Sequence, residues 1–426
     1  MTLKAVSPYK MVVADRRGRI FPVPGIEPLG MESGRFFRFR GEDLIPLPEG
    51  SRLFMLPGRT PVGYDGGSGN IRALDRYLAA AAFTPPGFTV THNSAYEERG
   101  TARILPLFAY AAVAWRNDRF YAAVTLVDRD RRHSEDTIDI KKVREKIKLF
   151  RKIFPHNRVV RHLERCATGY SCPNAQNFFL SRYEAPLPVS PRCNANCAGC
   201  ISYQPRGRCP ATQPRIRFTP APEELSEVAL FHIDNVLGAI VSFGQGCEGE
   251  PLLAADTISE TIRLIRRRTP RGTIHMNTNA SRPEAVRRLF DSGLDSMRVS
   301  MNSVRPEYYT RYYKPRGYTF RDVLRSIESA PGKRGFVALN YLTMPGFTDS
   351  ESEFAALKGI LKSHNIGMIQ WRNLNFDPQA YFREIGLTVP RHDILGIRHV
   401  IASLKKDFPG LLMGYFNPPK KGQKKS

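Results

Sequence analysis

The second half of the chain alternates between two kinds of segment, and this alternation constrains the fold more than any other feature of the sequence. From about residue 186, short β-type runs alternate with longer helix-type segments. The strand candidates are residues 186–191, 239–243, 273–277, 296–301, 336–344 and 368–374. The helix candidates between them are residues 221–230, 257–268, 283–291, 319–330 and 350–364. Strands separated by helices pair in parallel, so the pattern predicts an α/β fold with a partial (βα)6 barrel at residues 186–380.

The residues on either side of this alternation have other patterns. Residues 1–135 contain short β-type runs separated by Gly, Pro and charged residues, which predicts a β-rich N-terminal domain of unknown role. One helix is expected to interrupt these strands at residues 73–82. Residues 136–185 are predicted to form a helical connector, and residues 381–426 a C-terminal helix and a basic tail.

The chain is strongly basic, with 64 Lys and Arg against 40 Asp and Glu and a net charge of +24. The excess is spread along the sequence, which favours attraction to polyanions without outlining a nucleic-acid footprint. A helix candidate at residues 138–154 carries Lys141, Lys142, Lys146 and Lys148 away from its apolar stripe. Such a helix can bind an anionic surface or can simply expose a solvated basic face, and we favour the second interpretation.

Two negative observations concern the compartment. No apolar run approaches the ~18 residues of a membrane helix, and the N-terminus leads into no apolar signal segment. We therefore expect a cytoplasmic protein with no membrane association. Seven cysteines in a reducing compartment indicate metal or redox chemistry rather than disulfides.

Three of these cysteines, Cys193, Cys197 and Cys200, follow one another at C-x3-C-x2-C spacing. Three thiolates can hold three corners of a cubane 4Fe–4S cluster and leave one iron open for a ligand. Zinc is the alternative, and a zinc site would need a fourth ligand, which Cys209 or His232 can supply.

A glycine-rich segment follows the second predicted strand and contains a literal G-x-G-x-x-G at Gly244, Gly246 and Gly249. The dinucleotide-binding interpretation requires an acidic residue at the end of the next strand to hold a ribose. That strand ends at Asn279 instead. The sequence therefore disfavours a nicotinamide or flavin site.

The cysteine triplet, followed by Gly249-Glu250-Pro251, resembles the radical S-adenosylmethionine (radical SAM) superfamily, in its branch of molybdenum-cofactor and peptide-modifying enzymes. In that family S-adenosylmethionine chelates the open iron, and one electron from the cluster releases a 5′-deoxyadenosyl radical. The resemblance implies a radical SAM enzyme with a 4Fe–4S cluster and S-adenosylmethionine as cofactors. It also implies an electron donor such as flavodoxin or ferredoxin, and leaves the substrate open between a small molecule, a peptide and RNA. The alternative is a non-enzymatic iron–sulfur or zinc protein that binds nucleic acid.

The resemblance also implies roles for individual residues. The expected metal-binding and catalytic residues are Cys193, Cys197 and Cys200. The expected cofactor-binding residues are Gly249, Glu250, Asn279, Ser300, Asn302 and Asn340. Gln370, Arg372 and Asn373 are expected at the mouth of the barrel. The chain departs from the family at Glu248, where glycine is common, and at Gly199, where an aromatic residue is common.

Four cysteines remain outside the triplet: Cys166, Cys172, Cys209 and Cys247. They can ligate a second, auxiliary cluster, or they can be ordinary buried thiols. The absence of a C-x2-C pair among them favours the second interpretation.

Overall fold

A computed structural model describes residues 8–100, 102–130, 138–332, 335–387 and 393–420. The end of the predicted basic tail, residues 421–426, lies outside these ranges. Across the described ranges, every helix is too short or too polar to cross a membrane.

Short antiparallel strands make up the first part of the chain. They are β1 (Lys10–Ala14), β2 (Ile20–Val23), β3 (Ile26–Glu32), β4 (Arg35–Arg38), β5 (Ile45–Pro46), β6 (Arg52–Leu56), β7 (Arg59–Asp65), β8 (Asn70–Ala73), β9 (Leu78–Phe83), β10 (Phe88–Val90), β11 (Asn93–Ser94), β12 (Tyr96–Glu98), β13 (Val113–Arg116), β14 (Arg119–Ala122) and β15 (Val124–Leu126). One sheet follows the order β5-β14-β13-β1-β9-β6, a second follows β11-β3-β7-β12, and β10 pairs with β15. The β-rich character expected of this region is therefore confirmed.

The helix expected at residues 73–82 is wrong. This stretch contains the end of β8, a turn and most of β9, and β9 pairs with both β1 and β6. The run Ala79–Ala82 misleads because alanine has the highest helix propensity. Here these small side chains are almost fully buried between neighbouring strands, and pairing on both sides overrides the local preference.

Three helices follow: α1 (Ile140–Ile153), α2 (Arg158–Gly169) and α3 (Pro173–Phe179). Asp139 begins α1 by accepting hydrogen bonds from two backbone N–H groups of its first turn. Val143, Ile147 and Phe150 are buried along one face, as the apolar stripe predicts. The lysines of α1 are exposed on the other face.

The remaining strands form one parallel sheet in which spatial order equals chain order. The strands are β16 (Glu184–Pro186), β17 (Ile240–Phe243), β18 (Thr273–Thr278), β19 (Ser296–Met301), β20 (Phe336–Thr343), β21 (Met368–Asn373) and β22 (Leu412–Gly414). The helices are α4 (Pro222–Asn235), α5 (Ala255–Arg268), α6 (Pro283–Ser292), α7 (Pro306–Tyr313), α8 (Phe320–Glu328), α9 (Glu351–Ser363), α10 (Pro378–Ile385) and α11 (Ile397–Asp407). The predicted βα alternation is confirmed, with an additional seventh strand.

The first parallel strand is shorter and earlier than the sequence predicts. β16 ends at Pro186, whereas the prediction placed a strand at residues 186–191. Prolines at positions 186, 188 and 191 have no N–H to donate to a neighbouring strand, so the ladder cannot continue through them. The chain therefore leaves the sheet early and enters the cysteine-bearing loop.

The antiparallel region is joined to the end of β21 by buried polar contacts. Arg59 donates to Asp377 at 2.6 Å, and both side chains are almost completely buried. Asn373 accepts from the Val90 N–H at 2.8 Å and donates to the Phe88 carbonyl at 3.0 Å. These contacts fix the antiparallel strands against the carboxyl edge of the parallel sheet.

Candidate active site

A cavity of about 620 Å³ lies at the carboxyl edge of the parallel sheet. Parallel strands all end at the same edge, so the segments that follow them converge there. The lining includes Cys193, Cys197, Cys200, Gly249, Glu250, Asn279, Ser300, Asn340 and Arg372. Residues at or beyond the ends of several successive strands thus share one space.

The three cysteines of the triplet stand on one side of this cavity. Burial raises the pKa of the Cys197 thiol well above its usual value, and the neighbouring Cys200 and Cys193 raise it further. Burial, with Glu250 as the next cause, raises the pKa of Cys193 to about 11. Arg215 donates to the Cys200 sulfur at 3.5 Å. The thiols are close enough to repel one another as thiolates, so a bound cationic centre would relieve an unfavourable concentration of charge.

The loop that carries the triplet is held by α7. The N–H of Asn196 donates to the Tyr313 carbonyl, and the N–H of Ala198 donates to the Tyr312 carbonyl, both at 2.9 Å. These backbone bonds fix the loop without using the cysteine side chains. The thiols therefore remain available to a ligand.

The glycine-rich segment lies directly against this loop. The Gly249 N–H donates to the Ser190 carbonyl at 2.6 Å, and the Glu250 N–H donates to the Arg192 carbonyl at 2.8 Å. A Cβ atom at position 249 would lie 1.9 Å from the Arg192 carbonyl oxygen, so only glycine permits this approach. The requirement for glycine here is a close backbone contact that brings Glu250 beside Cys193.

Glu250 has a buried carboxyl group that also lines the cavity. It accepts hydrogen bonds from the Thr278 hydroxyl, from the Asn279 N–H at 2.8 Å and from the Leu252 N–H at 3.1 Å. Burial raises its pKa to about 7, and these hydrogen bonds oppose the shift. A cationic ligand group in the cavity would favour the charged carboxylate.

Glu248, the departure from the family pattern, has a structural position. Its carboxylate accepts from the N–H groups of Val189 at 2.8 Å, Ser190 at 2.9 Å and Gln245 at 2.6 Å. Burial raises its pKa to about 7. The side chain joins the exit of β16 to the glycine-rich segment and so helps to shape the cavity wall.

Asn302 is the expected cofactor residue that the structure does not bring to the cavity. Its side chain is fully buried and donates to the Tyr381 hydroxyl at 3.1 Å and to the Tyr308 carbonyl at 3.3 Å. It lies beyond the end of β19 and packs against α7 and α10. Ser300, two residues earlier, does reach the cavity.

Gly199 stands where the family often has an aromatic residue, and the structure shows why a side chain is missing. A Cβ atom at position 199 would lie 2.8 Å from the hydroxyl oxygen of Tyr312, which lines the cavity. An aromatic ring from α7 therefore occupies the space beside the triplet. Sequence reasoning missed Tyr312 because it lies on a helix that the strand and helix pattern did not predict.

Two arginines lie at another part of the cavity lining. Arg372 was expected there from the sequence, whereas Arg298 was not. Arg298 donates to the Gln370 side chain at 2.7 Å, while its Nε atom has no hydrogen-bond partner. Burial, and then the nearby Arg372, lower the pKa of Arg298 to about 9. Arg372 lies 4.0 Å from the ring centre of Tyr415 and donates to the Tyr415 carbonyl at 3.2 Å. Both arginines line the cavity.

Gln370 is absent from the cavity lining, whereas Asn373 lies in it as expected. Gln370 is fully buried and donates to Asn417 at 3.0 Å. Asn373 lines the cavity, but both ends of its amide bind the antiparallel region. Of the three expected mouth residues, Arg372 has the clearest access to a ligand.

The chain has relatives among known proteins. Residues 187–357 match the family described as the Radical SAM superfamily. The FeMo cofactor biosynthesis protein NifB of Klebsiella pneumoniae is 26% identical over 178 residues, which are 38% of this chain and 38% of the relative. A probable GTP 3′,8-cyclase of Thermococcus kodakarensis is 34% identical over 119 residues, 26% of this chain and 37% of the relative. The chain thus spans well under half the length of these curated relatives.

Among solved structures, a spore photoproduct lyase variant with bound AdoMet is similar at 15% identity with a TM-score of 0.38. The similarity covers 56% of this chain and 83% of the other. Members of the matched superfamily use a 4Fe–4S cluster and S-adenosylmethionine. The donor set found here fits that pair, because three thiols, a glycine-lined backbone and a buried carboxylate share one cavity.

Proposed function

We propose that this chain, whose residues 187–357 match the radical SAM superfamily, is an enzyme that cleaves S-adenosylmethionine reductively and directs the resulting 5′-deoxyadenosyl radical at a bound substrate. One observation carries the proposal. Cys193, Cys197 and Cys200 line the same cavity as Gly249 and Glu250. We also propose that the parallel sheet curves as the partial (βα)6 barrel expected from the sequence, since the residues at its carboxyl edge enclose a single space.

The three cysteines would hold a 4Fe–4S cluster and leave one iron for S-adenosylmethionine. When bound, the cluster supplies one electron to the sulfonium, and methionine and the 5′-deoxyadenosyl radical are released. Neighbouring residues would support the thiolates, since Arg215 donates to Cys200 and its positive charge opposes the cluster's negative charge. An electron donor such as flavodoxin or ferredoxin would reduce the cluster.

The glycine-rich segment would receive the methionine part of the cofactor. Glu250 would accept from the ammonium group, because it is a buried carboxylate already oriented by Thr278 and two backbone N–H groups. Asn279, Ser300 and Asn340 would offer hydrogen bonds around the nucleoside. The Oδ1 atom of Asn340 is buried without a hydrogen-bond partner, so it is ready to accept one from a ligand.

We further propose that the substrate carries a phosphate or carboxylate group. Arg298 and Arg372 line the cavity, and the adjoining Glu184 is already engaged by the hydroxyl of Ser242 and by Asn417. Two guanidinium groups beside one carboxylate leave a positive balance that an anion would neutralise. A small anionic molecule, an acidic peptide terminus and RNA all meet this requirement.

The test of the proposal begins with anaerobic reconstitution using iron and sulfide. The reduced protein should show the electron paramagnetic resonance signal of a 4Fe–4S cluster, and the signal should change when S-adenosylmethionine is added. Product analysis should then find 5′-deoxyadenosine and methionine. A protein that takes up only tetrahedral zinc at the triplet under iron-replete conditions would refute the proposal.

The substrate class has its own test. Inorganic pyrophosphate should raise the melting temperature of the wild-type protein, and this increase should be smaller in Arg298→Gln and Arg372→Gln. The exposed Arg321→Gln variant is the control and should respond like the wild type. An equal response in all four proteins would place anion binding elsewhere, without affecting the proposal for S-adenosylmethionine.

A further inference from the structure

A second group of metal-ligating side chains lies outside the triplet. His162, Cys166 and Cys247 each place one ligand atom so that all three atoms lie within 4.8 Å of one another. The Cys166 sulfur is 3.5 Å from Nε2 of His162. All three residues are buried. Buried thiols and an imidazole at such distances form a set of soft ligands with few water molecules as competitors.

The fold explains how these residues meet although 81 positions separate Cys166 from Cys247 in the sequence. His162 and Cys166 are four residues apart on α2 and therefore lie on the same face, one turn apart. Cys247 comes from the glycine-rich segment, where its carbonyl accepts from the Ile216 N–H at 2.7 Å. The cluster is thus shared between the helical connector and the segment that carries Gly249 and Glu250.

We propose that His162, Cys166 and Cys247 bind a single tetrahedral divalent metal ion of the zinc type. Metal–sulfur bonds of about 2.3 Å and metal–nitrogen bonds of about 2.0–2.1 Å put neighbouring ligands about 3.3–3.8 Å apart around such an ion. The separation of 3.5 Å between the Cys166 sulfur and Nε2 of His162 falls in this interval. A cubane spreads its cysteine sulfurs over different iron atoms, so the compact arrangement favours one ion over an auxiliary cluster.

The environment of Cys166 suits a metal-binding thiolate. Its hydrogen bond with Cys247, opposed by burial and assisted by His162, lowers the pKa of the Cys166 thiol to about 5. The same contact raises the pKa of Cys247 well above its usual value. The two thiols are hydrogen-bonded to each other, and a divalent ion bound to both sulfurs would release their protons.

Cys172 is the candidate for the fourth ligand. Its backbone N–H donates to the Cys166 carbonyl at 3.0 Å, so the two cysteines are neighbours across the turn between α2 and α3. Burial raises the pKa of the Cys172 thiol, and Cys166 contributes in the same direction. Cys172 also lines the large cavity, which places the proposed ion beside the active-site wall.

The proposed ion would tie α2 to the glycine-rich segment. The metal site itself does not rest on the proposed radical chemistry. Its expected effect on cofactor binding through Glu250 does rest on that proposed function. Removing the ion should loosen the segment and weaken cofactor binding even with the triplet intact. Structural zinc sites act in this way when they join segments that are distant in sequence.

The test uses a protein that lacks the triplet, with Cys193, Cys197 and Cys200 all replaced by Ala. This variant cannot hold the cluster of the proposed function, so the two proposals fail independently. Titration with Co²⁺ should saturate at one equivalent and show thiolate-to-cobalt charge-transfer bands with tetrahedral d–d bands. Zinc should displace the cobalt and raise the melting temperature.

Adding His162→Ala, Cys166→Ala or Cys247→Ala to this protein should lower the affinity for Co²⁺ at least about tenfold. Cys209→Ala is the matched control, because Cys209 is also buried but lies outside the cluster, and it should bind Co²⁺ normally. Cys172→Ala should lower the affinity and make the bands solvent-sensitive if Cys172 is the fourth ligand. Circular dichroism of each metal-free variant checks that the fold is retained.

Equal cobalt affinity in Cys166→Ala and Cys209→Ala would overturn the site. A brown iron–sulfur chromophore that forms in the triplet-free protein and requires Cys166 and Cys247 would overturn the proposal of a single ion. X-ray absorption of the zinc-loaded protein should find sulfur neighbours together with at least one nitrogen neighbour. A shell without sulfur would also contradict the proposal.

Discussion

The antiparallel region and the parallel region differ in how many candidate site residues they contribute. All seven cysteines lie at or beyond position 166, and none occurs in residues 1–135. The residues that line the cavity come almost entirely from the parallel sheet, from the loops that follow its strands and from α3. In the described part of the antiparallel region, Pro86 is the residue that reaches the cavity lining.

Two buried polar side chains of the antiparallel region contact the parallel region and form part of the joint between the two regions. Arg59 binds Asp377, and the Thr89 hydroxyl donates to the Trp371 carbonyl at 2.8 Å. These contacts meet β21 and the start of α10, next to the cavity. The difference indicates that the parallel region supplies the candidate site residues, while the antiparallel region supports the segments beside the cavity. Substitutions in the two regions should therefore have different signatures.

The largest expected effect belongs to the triplet. Cys197→Ala should abolish formation of 5′-deoxyadenosine, because a cluster held by two thiolates loses its site-specific open iron. The large buried core should keep the protein folded. Product analysis after reduction measures the effect, with Cys209→Ala as a control that should retain activity. Wild-type activity in Cys197→Ala would show that the triplet is not needed for the reaction. It would contradict the assignment of the chemistry to the parallel region.

The next effect concerns stability rather than chemistry. Arg59→Met leaves the Asp377 carboxylate buried without its cation, and breaking a buried pair in this way costs about 3–5 kcal/mol. The melting temperature should fall strongly, whereas activity per folded molecule should change little. The exposed Arg76→Met variant is the control and should change neither. A stable but inactive Arg59→Met would show that the joint does more than brace the cavity.

The sequence predicted the fold where periodicity was strong. The strand at residues 296–301 matches β19, and the helix at residues 350–364 matches α9 to within one residue at each end. The prediction failed where pairing overrode local preference, as in the alanine run of β9. It also missed β22, a strand of three residues that is too short to show a period.

In the candidate site, too, some residues could be predicted from a local sequence pattern and others could not. Gly249 and Glu250 could be found because a local motif carries them. Tyr312 and Arg298 could not, because a helix end and a strand interior bring them to the cavity by tertiary packing. The contact between Cys166 and Cys247 has no spacing signature, since the two residues belong to different segments.

Within the parallel region, Glu250 should affect cofactor affinity. Glu250→Gln keeps the shape but removes the charge that would face the methionine ammonium group, which should cost about 1.5–3 kcal/mol of binding free energy. Equilibrium binding of S-adenosylmethionine to the reconstituted protein measures this loss. Glu353→Gln is the matched control, because Glu353 is an equally buried carboxylate that does not line the cavity. Equal losses of affinity for S-adenosylmethionine in both variants would mean that Glu250→Gln acts through the stability of the fold and not through a contact with the cofactor.

A smaller effect should appear as a pH dependence of stability at the joint. Burial, and then the neighbouring Asp349, raise the pKa of Glu32 from 4.5 to about 9. The folded protein therefore keeps a proton that the unfolded chain has lost, so the contribution of Glu32 to stability is fully present below about pH 4.5 and is lost as the pH rises toward 9. Glu32→Gln cannot lose this proton, and its stability should fall less.

Urea unfolding at about pH 7 and about pH 9 measures this difference, which should be on the order of 1–2 kcal/mol. His92, whose pKa burial lowers to about 4, contributes with the opposite sign and only on the acid side. The exposed Glu42→Gln variant should follow the wild type. Parallel curves for Glu32→Gln and the wild type would mean that the joint is insensitive to pH in this range.

The smallest expected effect tests whether α1, which lies between the two regions, adds a surface for RNA. Lys141, Lys142, Lys146 and Lys148 are exposed on this helix, and contact with phosphates would release counterions as RNA binds. Replacing all four by Gln should flatten the dependence of log affinity on log salt by up to roughly 3 for a single strand. Replacing Lys420, Lys421, Lys424 and Lys425 should do less, because Lys420 already pairs with Asp295 at 2.9 Å. RNA binding measured at two salt concentrations for the wild type and both variants tests whether α1 contributes to RNA binding. Weak binding without salt dependence would exclude RNA as the substrate, and the anionic group recognised by Arg298 and Arg372 would then belong to a small molecule or a peptide.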